Sequence, residues 1–144
     1  QMENLSEAAG AYQTLGEGAK IAGSLPDSAT KAKILMGLAY QYERFNPGFA
    51  MQELSDSVAV INRLQEPDLG TTAVLRQIVG KQYSFFTVRS VPGYDLERTY
   101  SKLAARDFGL ALSNARSLDD KFLRTMAVLA VTRECSKKKV TNEQ

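Results

Sequence analysis

A chain of 144 residues, 44% of them hydrophobic, fits one domain and can bury a core without metal or disulfide support. Its formal charge of +2 and lone cysteine, Cys135, exclude a strong global field toward nucleic acid or anionic lipid, an internal disulfide and a cysteine-built zinc site. The absence of histidine removes the usual general base near neutral pH, the commonest metal ligand and the ordinary pH switch.

No apolar run reaches the roughly 18 residues that a membrane-spanning helix needs, so no membrane insertion is expected. The chain begins with Gln1 rather than Met, which fits a mature protein after cleavage or a piece of a longer one. Cys135 lies in an apolar helical neighbourhood, and an inert buried thiol is expected there. Lys137, Lys138 and Lys139 read as a solvated run.

From Leu5 onward Ala8, Ala9, Tyr12, Leu15, Ala19 and Ala22 recur every three or four positions, which predicts a helix to about Gly23. Gly10, Gly16, Gly18 and Gly23 weaken it intrinsically, and close approach of a second helix is the reason expected for them. SLPDS at 24–28 brings a proline and the N-cap candidates Asp27 and Ser28, so a second helix starts there. Ala32, Leu35, Met36, Ala39, Tyr42 and Phe45 form its inward face. Asn46 and Pro47 repeat the start signal, and Ala50, Leu54, Val58, Ile61 and Leu64 line a third helix ending before Pro67.

The middle, about 65–94, is irregular. TTAVLRQIV at 71–79 suits helix or strand, and a short helix is the reading taken. KQYSFFTVRSVPGYD at 81–95 crowds aromatic and β-branched residues together and predicts an extended segment near 83–92. It is expected to lie across the helical layer, pinned by Phe86 and Val88, with edge pairing to another chain as the alternative. Asp95 then caps one long helix through Leu96, Tyr100, Leu103, Ala104, Phe108, Ala111 and Ala115. Ser117, three residues before Asp120, gives a capping-box-like start to a last helix whose inward face is Phe122, Met126, Leu129, Ala130 and Arg133. The fold class predicted is all-α: antiparallel helical hairpins at about 4–45 and 95–135, stacked in a bundle or short solenoid within a single domain, 1–144.

The two outer hairpins can be aligned at their turns. GAKIAGSLPDSATKAKILMGLA at 18–39 overlays ALSNARSLDDKFLRTMAVLA at 111–130 with two residues dropped from the first. Ala22 then meets Ala115, Leu25 meets Leu118, and Lys33 meets Arg124. The pattern resembles the helical hairpins of α-solenoid proteins of the tetratricopeptide-like or HEAT-like kind. It is also similar to uncharacterised bacterial proteins with recurrent A-x-x-I-x-D…R-A-x-x-L-x-x-A hairpins. The resemblance covers the two outer thirds, and no Trp of the tetratricopeptide consensus is present. What it implies is a stack of hairpins that binds a protein or peptide.

Chemistry is harder to place. There is no phosphate loop and no G-x-G-x-x-G. The carboxylates Glu43, Glu53, Asp56 and Asp107 form no recognisable metal set and read as solvated faces. Asp107, between Arg106 and Phe108, is expected to pair with Arg133 or Arg124 of the last helix. Lys31, Lys33, Arg44, Arg63, Arg76, Lys81 and Arg89 are scattered among acids, so no nucleic-acid partner is expected. No catalytic residue, ligand-binding residue, metal site or cofactor is assigned. The function expected is a non-enzymatic protein or peptide interaction module or scaffold. The alternative is a ligand-binding or enzymatic helical domain with a pocket lined by Tyr40, Tyr42, Tyr83, Tyr94 or Tyr100.

Overall fold

The computed structural model describes residues 2–69, 73–79, 84–90 and 95–142, with side chains described for 3–69 and 95–137. Six helices pack on their neighbours in an all-α arrangement, with a two-stranded ribbon inserted between the third and the fourth. Among the described helices none is long and apolar enough to cross a membrane.

Helix α1 (Met2–Ser24) leans on α2 (Ala29–Tyr42) chiefly by its C-terminal half, with Tyr12 reaching the Tyr42 ring from further up. Ala22 is buried, Leu15 and Ala19 are half-buried, and Leu5, Ala8 and Ala9 are exposed. A Cβ at Gly10, Gly16 or Gly23 would meet nothing within 4 Å, and one at Gly18 would meet Leu38 Cδ2 at an ordinary 3.6 Å. Close helix approach is therefore not what these glycines serve.

The next two helices follow their start signals. Ser28 accepts from the Lys31 N–H at 3.0 Å and Asn46 from that of Phe49 at 3.1 Å, each satisfying an orphan donor of the first turn. Pro47 opens α3 (Pro47–Arg63) where no N–H is required. Helix α2 buries Ala32, Leu35, Met36, Leu38, Ala39 and Tyr42, and α3 buries Ala50, Leu54, Val58, Val60 and Ile61. Between them the buried Ser57 hydroxyl donates to the Ala32 carbonyl at 2.8 Å.

The middle departs from expectation. Residues read as a short helix form strand β1 (Ala73–Val79), which pairs antiparallel with β2 (Ser84–Ser90), from Ala73 opposite Ser90 to Val79 opposite Ser84. The β2 segment is extended as predicted, and among the described residues the backbone of neither strand makes a close approach to a helix. Its backbone donors needed partners, and a neighbouring segment rich in β-branched residues supplied them. The expected pins, the side chains of Phe86 and Val88, lie outside the described residues, as do Tyr83, Pro92 and Gly93.

Asp95 caps α4 (Leu96–Arg106), accepting from the Arg98 N–H at 3.0 Å. The helix expected to run to 116 breaks at Asp107, whose backbone is extended (φ −144°, ψ 96°) and whose carboxylate accepts from the Leu110 N–H at 3.0 Å to start α5 (Phe108–Arg116). A short polar side chain that can bond its own downstream N–H favours a cap over a helix interior. The core survives the break, with Tyr100, Leu103, Ala104, Ala111 and Ala115 buried, while Phe108 turns partly outward.

Helix α6 (Lys121–Asn142) starts from Asp120, which accepts from the Leu123 N–H at 2.8 Å. Ser117, the expected cap, ends α5 instead. The buried face is Leu123, Ala127, Ala130 and Val131. Phe122 and Leu129 are exposed, at 71% and 45%, Met126 is half-buried and Arg133 is exposed. The inward face is thus turned by about 100°, one residue's rotation, from the one expected. Ala130 is buried as expected, and the small Ala127 lets α4 and α5 lie close where Phe122 or Met126 would not.

Helices α2 and α3 pack together and against α4 and α5, with α1 outside on α2 and α6 outside on α4 and α5. Both outer turns are latched alike. Lys31 Nζ donates to the Leu25 carbonyl at 2.8 Å, and Arg124 Nη1 donates to that of Leu118 at 3.2 Å. Lys31, rather than Lys33, is the counterpart of Arg124.

Candidate functional site

The tyrosines were the sequence's candidates for a pocket. Tyr100 is fully buried and its phenol donates to Asn114 Oδ1 at 2.6 Å. The Tyr42 ring stands edge-on to Tyr12 and Phe49, each with centroids 5.9 Å apart. Tyr40 lies elsewhere, beneath the Lys102 ammonium, 3.8 Å from the ring centroid. These three do not share a cavity, and the side chains of Tyr83 and Tyr94 fall outside the described residues.

What Tyr40 does border is an open groove of about 490 Å³ between the end of α2, α4 and α6. Its walls are alternating charges. Arg106 brings Nη2 to 2.8 Å and Nε to 3.0 Å from Glu43 Oε1. Lys102 donates to the Tyr40 carbonyl at 2.9 Å and lies 3.8 Å from Glu43 Oε2, and Arg133 Nη1 meets Glu97 Oε2 at 3.0 Å. Glu43 and Glu97 are thus each met by a cation from another helix. Such pairs join α2 to α4 and α4 to α6 at the surface.

The remaining acids have separate duties. Asp107 pairs with neither Arg133 nor Arg124, which meet Glu97 and the Leu118 carbonyl; its carboxylate caps α5. Asp27 is held below the usual carboxylate range, chiefly by its hydrogen bond from Arg63. Glu53 is pushed up by desolvation, with the Asp56 charge adding to it. No group of acids or cysteine that could hold a metal ion occurs among the described residues. Cys135 is exposed, not buried.

Buried side-chain polar atoms all have partners among the described residues, so the described interior offers no unsatisfied group aimed at a ligand. The unspent free energy lies outside. On α6, Phe122, Met126 and Leu129 follow one another at spacings of four and three, making a second apolar stripe beside the buried one. Leu110 of α5 is also exposed. Periodicity found this stripe, and it was the assignment to the interior that failed. No protein-family model, no curated protein and no solved structure matches the chain.

Proposed function

We propose that the chain is a non-enzymatic protein or peptide interaction module, built from helical hairpins of the tetratricopeptide-like or HEAT-like kind. The observation that carries this reading is the stripe of exposed Phe122 and Leu129 with half-buried Met126 between them on α6, an outer helix of the stack. The alike latching of the two turns by Lys31 and Arg124 supports a repeated hairpin unit. A partner that covers Phe122 and Leu129 would gain about 2 to 3 kcal/mol from them, roughly 30- to 150-fold in affinity.

The test is a comparison of the wild-type chain with Phe122→Ser/Leu129→Ser. A partner isolated from extract of the source cells as a stoichiometric complex is titrated against both, with helicity checked by circular dichroism. At least a 30-fold weakening on a folded variant is expected. Equal affinity for the two would remove the α6 stripe as the binding face.

A further inference from the structure

We propose that the ribbon of β1 and β2 is a docking edge for an extended acidic peptide, which joins it as a third antiparallel or parallel strand. The proposal concerns a different surface from the α6 stripe, so each stands or falls separately.

The backbone gives the first argument. The sheet has two strands, each paired on one side only. Every other residue of each seven-residue strand therefore turns its N–H and C=O away from the ribbon, along an edge of roughly 23 Å. A two-stranded ribbon is marginal by itself in water and is ordinarily completed by a third strand or by packing on a helix. Here no helix makes a close backbone approach to it among the described residues. Strand addition to an open edge is an established way for a domain to take up an extended peptide.

Charge selects the occupant. Residues 70–94 contain Arg76, Lys81 and Arg89 and no Asp or Glu. With 18 Lys and Arg against 16 Asp and Glu in the whole chain, removing those three cations leaves the remainder at −1. The excess positive charge of the protein therefore belongs to this segment. A second copy of the ribbon would set three cations against three, which disfavours pairing. A nucleic acid would answer the charge but cannot extend a backbone ladder. An extended chain carrying Glu or Asp answers both.

The experiment uses the full chain and a fluorescein-labelled peptide of alternating Thr and Glu, seven residues long. Its controls are the counterpart with Lys for Glu and the acidic peptide with a central Pro. Binding is read by anisotropy, and amide exchange is followed over 73–79 and 84–90. The acidic peptide is expected to bind at least tenfold more tightly than either control and to slow exchange in one of the strands. Arg76→Glu/Arg89→Glu should reverse the preference toward the Lys peptide by at least tenfold, and Arg76→Gln/Arg89→Gln should abolish it. Thermal unfolding of the helices should stay unchanged in both, because among the described residues no helix makes a close backbone approach to the ribbon. Equal binding of the Pro-interrupted peptide would overturn the proposal, since charge alone would then suffice. So would unaltered exchange in both strands, a concentration-dependent dimer that protects the ribbon without peptide, or tighter binding of a single-stranded oligonucleotide.

Discussion

The Tyr100 phenol donates to Asn114 Oδ1 at 2.6 Å, from one side of the Asp107 break to the other, and both side chains are buried. Asn114 in turn donates through Nδ2 to Ser55 Oγ at 3.0 Å. One amide thus joins α3, α4 and α5 and holds the two short helices in place where a continuous helix would need no such tie. Burial pushes the Tyr100 phenol far above its ordinary value, so it remains a donor throughout the usual pH range.

Tyr100→Phe removes that donor and leaves Asn114 Oδ1 buried without it. The expected loss of stability is about 1 to 3 kcal/mol, measured by urea unfolding with an unchanged denaturant slope. A loss below about 0.5 kcal/mol would show that the amide finds another partner.

Asp107 ends one helix and starts the next, so its two substitutions should separate. Asp107→Ala is expected to cost about 0.5 to 2 kcal/mol, and Asp107→Asn only a few tenths, because Asn caps as well as Asp. Had the residue acted through an ion pair, Asn would cost as much as Ala. Thermal unfolding of the two variants side by side decides it.

Desolvation, followed by the Asp56 charge, raises the Glu53 carboxyl above 4.5. The folded chain then holds this proton more tightly than the unfolded chain, so ionisation costs stability. Glu53 lowers stability as pH rises from below 4.5 through its raised folded value. Glu53→Gln should therefore be the more stable protein at neutral pH, with the difference shrinking toward zero in acid. Unfolding curves collected across that range test the sign, and a variant less stable than wild type at neutral pH would refute it.

Helix α6 offers a direct check of which apolar stripe faces the core. Leu123 is 8% exposed and Leu129 45%. Leu123→Ala should cost about 2 to 5 kcal/mol as a core truncation, whereas Leu129→Ala should cost less than about 1 kcal/mol. Equal losses by denaturant unfolding would place both against α4 and α5.

The starts of α2, α3 and α4 were legible because Ser28, Asn46 and Asp95 act on N–H groups three residues away. A cap is local chemistry, and no distant residue has to be known to recognise it. The same holds for the faces of α2 and α3, where one apolar stripe stands against polar residues and only one orientation buries it. Of the candidate surfaces, the α6 stripe was visible as a period and the basic character of 70–94 as composition. Whether either would be covered was not visible.

By itself, then, the sequence determined an all-helical chain with these caps and periods and an extended segment near 83–92. The tertiary structure decided the rest, wherever two local answers were nearly equal in energy. Residues 73–79 could be helix or strand, and pairing with 84–90 chose strand by satisfying the backbone donors of both. Asp107 could sit within a helix or cap one, and the bonds joining Ser55, Tyr100 and Asn114 favoured the break. On α6 two stripes sharing Ala130 competed for the interior, and the one with Leu123, Ala127 and Val131 won because the small Ala127 lets the helices approach to packing distance. Its rival, Phe122 and Leu129, was left in solvent.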